Sequence, residues 1–186
     1  MGVEMIVLPR TRGGWKCFIA DPPWRFSDTA TRGSAEHHYS TMTDLEIADM
    51  EIAAISAPDA VLGLWCPDTH LPLALVVTKA WGFTYRHLYP WMKVGVTGKI
   101  QIGLGHYMRK AHEVAIICTR GKPKILDHGV PSACIAPRTA HSRKPQNLHV
   151  ALERLCEGPR LELFARERRE GWTAWGLEAP GERICL

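Results

Sequence analysis

Short apolar runs, each stopped by a turn-forming cluster, recur along the chain and constrain its fold more than any other feature. Phe18-Ile19-Ala20, Ala60-Val61-Leu62-Gly63-Leu64-Trp65 and Glu113-Val114-Ala115-Ile116-Ile117-Cys118 are near-continuous rather than alternating, the pattern of strands covered on both faces. Phe83 to Lys93, Ala133 to Ala136 and Arg160 to Ala165 read as further strands. Helical signals lie between them. Thr43-Asp44-Leu45-Glu46 is a capping box that predicts a helix to about Met50, with Leu45 and Ile47 in the core. A second helix is expected from about Asp68 to Ala80, with Pro72 in its first turn and Gly82 at its end. A third runs roughly from Pro145 to Cys156, with Leu148, Leu152 and Leu155 on one face and Gly158-Pro159 beyond it. Trp172 to Gly176 reads as a closing aromatic segment packed on the sheet. This alternation predicts one α/β domain over residues 1–186, a mostly parallel sheet with helices on both faces.

Composition agrees with that size. The 186 residues are 46% hydrophobic and 23% charged, enough for one domain with a full core. Lys+Arg number 23 against Asp+Glu 19, a net charge of +4 that permits a polyanionic partner without demanding one. Met1 to Leu8 lacks the basic and apolar regions of a signal peptide, and no apolar run approaches a membrane span. A cytoplasmic protein is expected. The six cysteines are scattered, with no Cys-x-x-Cys pair, and the four in apolar strand- or helix-like contexts read as buried free thiols. The histidines lack a metal-ligand spacing such as His-Glu-x-x-His, so no metal is expected.

The first apolar run stops at Asp21-Pro22-Pro23-Trp24. Neither proline can donate to a ladder, and each restricts the residue before it, so the strand must end in a stiff corner. Open α/β sheets bind ligands at the carboxyl ends of their strands. Here Asp21 supplies a carboxylate, Pro22 a carbonyl and Trp24 a flat apolar face. Two acceptors beside one π-face suit a planar group carrying an NH2, such as adenine or cytosine. Its lone pair is delocalised into the ring until acceptors hold its hydrogens. Help from Asp21 as a general base is worth about 10²–10⁴-fold, and stacking on Trp24 roughly 1–3 kcal/mol. A plain turn with a buried tryptophan is the alternative that these four residues leave open.

Polar loops follow. Arg25 to Ser40 is a candidate lid, near whose end Tyr39 either contacts a base or packs the loop down. Val94 to Lys110 is glycine-rich and basic, with Lys99, His106, Tyr107, Arg109 and Lys110 interleaved as a nucleic-acid-facing loop needs. Lys93 before it meets either a phosphate or solvent. Lys144, ahead of the third helix, is open to an anion, and Arg166 stands at the ligand-binding end of the last strand.

Taken in order, Asp21-Pro22-Pro23-Trp24, Tyr39 with Met42, Leu64-Trp65, Trp81-Gly82-Phe83, Trp91-Met92-Lys93, Gly105-His106-Tyr107 with Glu113, His141-Ser142-Arg143-Lys144-Pro145 and Glu162-Leu163-Phe164-Ala165-Arg166 form one pattern. It resembles the N6-adenine methyltransferases related to the catalytic subunit of the eukaryotic messenger-RNA adenosine methyltransferase, from about Phe18 to Gly176. The resemblance implies a Rossmann-like methyltransferase fold and S-adenosylmethionine as cofactor. By matched position it implies that Asp21, Pro22, Pro23 and Trp24 hold the adenine amine. Lys144 and Arg166 would contact the cofactor, with Asp21 and Phe164 beside it. Tyr39 would help enclose the target, and Lys93 would line the substrate channel, with His106, Tyr107 and Arg109 toward nucleic acid. Similarity to short bacterial and phage members favours DNA over RNA. So small a chain implies loose sequence specificity, a specificity partner or a homodimer. Two rivals remain at this point: a non-catalytic nucleic-acid-binding member of the same fold, and a methyltransferase acting on another amine such as cytosine N4.

Overall fold

A computed structural model of the protein describes residues 7–25, 42–105, 107–138 and 143–176. Its strands are β1 (Trp15–Ala20), β2 (Ser56–Cys66), β3 (Thr84–Val94), β4 (His112–Arg120), β5 (Cys134–Pro137), β6 (Arg160–Leu163) and β7 (Thr173–Trp175). The helices are α1 (Asp44–Ala48), α2 (Ile52–Ile55), α3 (Leu71–Ala80) and α4 (Asn147–Leu155). One seven-stranded sheet runs in the order β5-β3-β4-β2-β1-β6-β7. β1 lies inside it, next to the central strand β2, and is parallel to β2 on one side and β6 on the other.

The near-continuous apolar runs have the cause their pattern implies. Side chains alternate across a strand, so Phe18, Ala20, Leu62 and Leu64 meet Ile47, Ile52, Val77 and Trp81 on one face. Cys17, Ile19, Val61 and Trp65 meet Leu148, Leu152 and Trp172 on the other. Gly63 faces α4, where an added Cβ would come within 3.1 Å of Leu152 and 3.2 Å of Leu148. The missing side chain lets the helix sit close over the middle of β2.

β4 alone runs antiparallel to both its neighbours, β2 and β3. A parallel return needs a crossover of a dozen or more residues, usually helical. Among the described residues no helix separates β3 from β4, and residues 95–105 and 107–111 fold back as a hairpin arm. The reversal therefore follows from the connection.

Several boundaries differ from expectation. The capping box is present, with the Thr43 N–H donating to Glu46 at 2.7 Å, but Leu45 is 75% exposed while Ile47 is buried. A five-residue helix has room to turn only a narrow stripe to the sheet. α2 is a single turn, too short for apolar periodicity to show. α4 begins at Asn147 with Gln146 as its cap, so Pro145 lies just outside the helix. β6 stops at Leu163 because Phe164 has φ +62°, left-handed backbone that an aromatic residue adopts only where its surroundings impose it. Phe164 packs edge-on to Trp175 at 5.8 Å, and the Ala165 N–H donates to the Trp175 carbonyl at 2.9 Å. The closing aromatic segment is thus the edge strand β7. Cys17, Cys66, Cys118, Cys134 and Cys156 are free and buried.

Candidate active site

Register brings one set of residues to one edge of the sheet. Ala20 pairs with Leu64 and with Leu163, so β1, β2 and β6 end side by side and Asp21 emerges between them. Because β4 is reversed, its beginning lies at that same edge: Val114 pairs with Cys66, and Glu113 pairs with Trp91 of β3. Lys93 follows two residues later on β3.

Lys144 connects these groups. Its Nζ donates to Asp21 Oδ1 at 3.0 Å and Oδ2 at 2.9 Å, and lies 3.4 Å from Glu113 Oε2. Glu113 Oε1 in turn accepts from Lys93 Nζ at 2.6 Å. Asp21, Lys144, Glu113 and Lys93 thus form a chain of alternating charge whose formal sum is zero. Lys144 lies 5.9 Å from the Trp65 ring and Lys93 5.2 Å from the Trp91 ring, so aromatic faces support both cations.

The charges set one another's protonation. Burial alone would lower the Lys144 pKa, but Asp21 and then Glu113 outweigh it and hold the ammonium above its ordinary 10.5. Burial would raise Glu113, yet Lys144 and Lys93 hold its carboxylate below the ordinary 4.5. Burial, with the Asp21 charge behind it, pushes the Cys66 thiol up to about 12, so this thiol stays protonated beside the site. A pH test follows. The Glu113 ion pairs stabilise the fold fully above the ordinary carboxylate range, and that stability is lost as pH falls through the lowered pKa. Urea unfolding of wild type and Glu113→Gln should therefore differ by a constant amount near neutrality and converge in acid. A difference that grows on acidification would contradict the assignment.

The two prolines stiffen the corner through their carbonyls. The Pro22 carbonyl accepts from the Trp24 N–H at 2.8 Å and the Pro23 carbonyl from the Met42 N–H at 3.0 Å. The Trp24 indole N–H donates to the Trp65 carbonyl at 2.9 Å, tying the end of β1 to the end of β2. Trp24 is 4% exposed, so here it packs in the core instead of offering an open stacking face.

A second network positions Lys144. Glu167 accepts from Arg143 and, at 3.0 Å, from Gln146. Arg169 donates to Gln146 at 2.7 Å and to Glu153 at 2.8 Å. The segment before α4 is thereby fastened to the segment after β6, on both sides of Lys144.

Among the residues singled out from sequence, Asp21 and Lys144 meet directly, and Lys93 joins them through Glu113. In this structure the Lys144 ammonium is held by the protein's own carboxylates, Asp21 and Glu113, which an outside anion would have to displace. Lys93 is likewise paired, its ammonium held by Glu113 at 2.6 Å with the side chain 17% exposed. Arg166 lies exposed three residues beyond β6, and Tyr107 and Arg109 are exposed on the arm. Tyr39 and His106 fall outside the described residues. The joining role of Glu113 was missed; the available signal was an acidic residue heading an otherwise apolar run. A cavity of about 460 Å³ lies elsewhere, on the α4 face, lined by His87, Tyr89, His128, Leu148 and Leu152. Among the described residues, no group of three or more His, Cys, Asp and Glu could hold a metal ion, and no helix is long and apolar enough to cross a membrane.

A mostly parallel sheet with helices on both faces and its ionic cluster at the carboxyl ends of the central strands is the α/β Rossmann-like methyltransferase fold. The MT-A70 family model matches residues 15–178, and the chain belongs to that family. The type II methyltransferase M.MunI of Mycoplasma sp is 26% identical over 199 residues, covering 95% of this chain and 82% of the relative. An N(6)-adenosine-methyltransferase MT-A70-like protein of Arabidopsis thaliana is 27% identical over 177 residues, 92% of this chain and 25% of its own length. The N(6)-adenine-specific methyltransferase METTL4 of Homo sapiens is 26% identical over 178 residues, 86% of this chain and 36% of its own. The chain thus spans most of the bacterial relative and a quarter to about a third of the plant and human ones.

Proposed function

We propose that this protein transfers a methyl group from S-adenosylmethionine to the N6 amine of adenine in DNA. The observation that carries the reading is the Asp21–Lys144 contact, 2.9 Å long, at the carboxyl ends of β1, β2 and β6. The Lys144 ammonium complements the carboxylate at the amino-acid end of the cofactor, so this residue fits it. Lys144 would take the cofactor carboxylate, and Phe164 and Arg166 would flank its nucleoside end. When bound, the cofactor supplies an electrophilic methyl carbon on a sulfonium.

The three N–H donors of Lys144 face Asp21 Oδ1, Asp21 Oδ2 and Glu113 Oε2. Lys144 would thus have to exchange Asp21 for the cofactor carboxylate, which would leave Asp21 free to face substrate. Asp21 then accepts a hydrogen from the adenine amine and localises its lone pair. The Pro22 carbonyl, using one lone pair for Trp24, keeps a second for the other hydrogen. The nitrogen–methyl bond would form as the sulfur–methyl bond breaks and the neutral thioether leaves, and the amine's surplus proton would pass to Asp21. Lys93, Tyr107 and Arg109, with Tyr39 and His106, are the proposed substrate contacts, and the preference for DNA rests on the resemblance to short bacterial members, with which the match to 82% of the bacterial relative agrees. A separate specificity subunit or a second copy is part of the same proposal, as is cytoplasmic location.

The experiment is transfer of labelled methyl from S-adenosylmethionine to DNA and RNA pools, single- and double-stranded, followed by nucleoside mass analysis. N6-methyladenine from DNA is the expected product. N4-methylcytosine, or label in RNA alone, would replace the substrate in this reading. Absence of both transfer and cofactor binding would support the non-catalytic alternative.

A further inference from the structure

The hairpin arm between β3 and β4 is rooted in the candidate active site. Lys93 and Glu113, at its two ends, are bridged at 2.6 Å, and Lys110 pairs with Asp68 beyond β2 at 2.8 Å. Its backbone is held along its length. The Gln101 N–H donates to the Lys93 carbonyl at 2.8 Å, and the Gly103 N–H to the Lys110 carbonyl at 2.7 Å. A side chain at Gly105 would collide with the Met108 carbonyl, so glycine permits these two residues to approach closely.

On this fixed frame Val96, Ile100, Ile102, Leu104 and Met108 point into solvent, Ile102 being 65% and Leu104 82% exposed. Apolar side chains gathered on a protruding element mark a contact surface. The charge around them indicates which kind. Lys99 and Arg109 are interleaved with them, Lys110 being taken up by Asp68, and no Asp or Glu occurs from Val94 to Ala111. An apolar tip flanked by cations, on a segment without acidic residues, suits a phosphate-lined groove whose base stack is to be parted.

We infer that this arm is a wedge for duplex DNA: its cations meet the backbone while Ile102 and Leu104 enter the stack beside the target and hold open the gap left by the extruded adenine. The inference rests on the proposed function. It also explains how a carboxylate set in the corner at Asp21 reaches an amine that, inside a duplex, is paired and stacked. A single strand needs no such opening.

The test compares wild type with the double variant Ile102→Ser/Leu104→Ser, whose sites touch neither core nor ionic cluster. Transfer is measured to a random-sequence DNA duplex pool and to the same pool as single strands. Opening is followed separately, by permanganate oxidation of thymines that have lost their adenine partners. Duplex transfer should fall at least about tenfold, with permanganate reactivity falling alongside and single-strand transfer unchanged. Equal losses on both substrates, or no loss on either, would overturn the wedge. So would a change from dimer to monomer on size-exclusion chromatography with permanganate reactivity intact, since the arm would then be a protein contact. If wild type transfers methyl to no nucleic acid, the proposed function fails; wild-type protein that still opens duplexes, where the variant does not, would leave the wedge standing.

Discussion

Asp21→Asn is expected to lower methyl transfer to adenine about 10²–10⁴-fold, the usual worth of a positioned general base, without weakening the binding of S-adenosylmethionine. The amide keeps the size and one acceptor of the carboxylate but loses its charge and its capacity to take a proton. Cofactor affinity should hold because Lys144 then loses the competitor that pairs with it at 2.9 Å, while Glu113 still keeps its ammonium in place. Single-turnover transfer and calorimetric titration, made on the same preparation, separate the two effects. Full activity in the variant would remove Asp21 from the mechanism. A parallel loss of affinity and rate would instead make it chiefly a cofactor contact.

Lys144→Met should have the opposite signature, a loss of cofactor affinity of about 10–100-fold, as expected for one charged hydrogen bond worth roughly 1.5–3 kcal/mol. It should also destabilise the fold. Removing the ammonium leaves Asp21 and Glu113 facing each other at the sheet edge, without the cation that holds Glu113 low. Breaking a fully buried ion pair costs about 3–5 kcal/mol. Here the Lys144 and Asp21 side chains are 20% and 23% exposed, and solvent screening reduces the expected loss to roughly 1–3 kcal/mol. Adding Asp21→Asn should recover part of that stability by removing one of the two like charges, although it cannot restore cofactor binding. A double variant less stable than Lys144→Met alone would show that Asp21 does not repel Glu113 in the folded state. Urea unfolding of the four proteins in the cycle measures the coupling directly.

Much of the strand content was legible because burial on both faces leaves a direct trace in composition. Phe18 to Ala20 and Ala60 to Trp65 need no long-range information to be read as central strands. Glycines and prolines marked the ends for equally local reasons, and Gly82 with φ +79° is one case. Boundaries failed where tertiary contacts override local preference. Phe164 is an aromatic in an apolar run, and nothing nearby in sequence announces that packing against Trp175 will force it left-handed. The turned-out Leu45 was misread because five residues carry too little periodicity to orient a helix.

By itself the sequence determined that the chain forms an α/β sheet, that β1 ends at an acid fixed by two prolines, and that ordered motifs match one methyltransferase family over nearly all their length. Those properties depend on steric limits of the backbone and on local apolar patterning. Only the tertiary structure decided that β4 reverses, that its reversal carries Glu113 to the ligand edge, and that Lys144, 123 residues from Asp21, is its partner. Each of these depends on strand register. Charges distant in sequence interact strongly only once the sheet has brought them within a few ångströms and excluded most of the water between them.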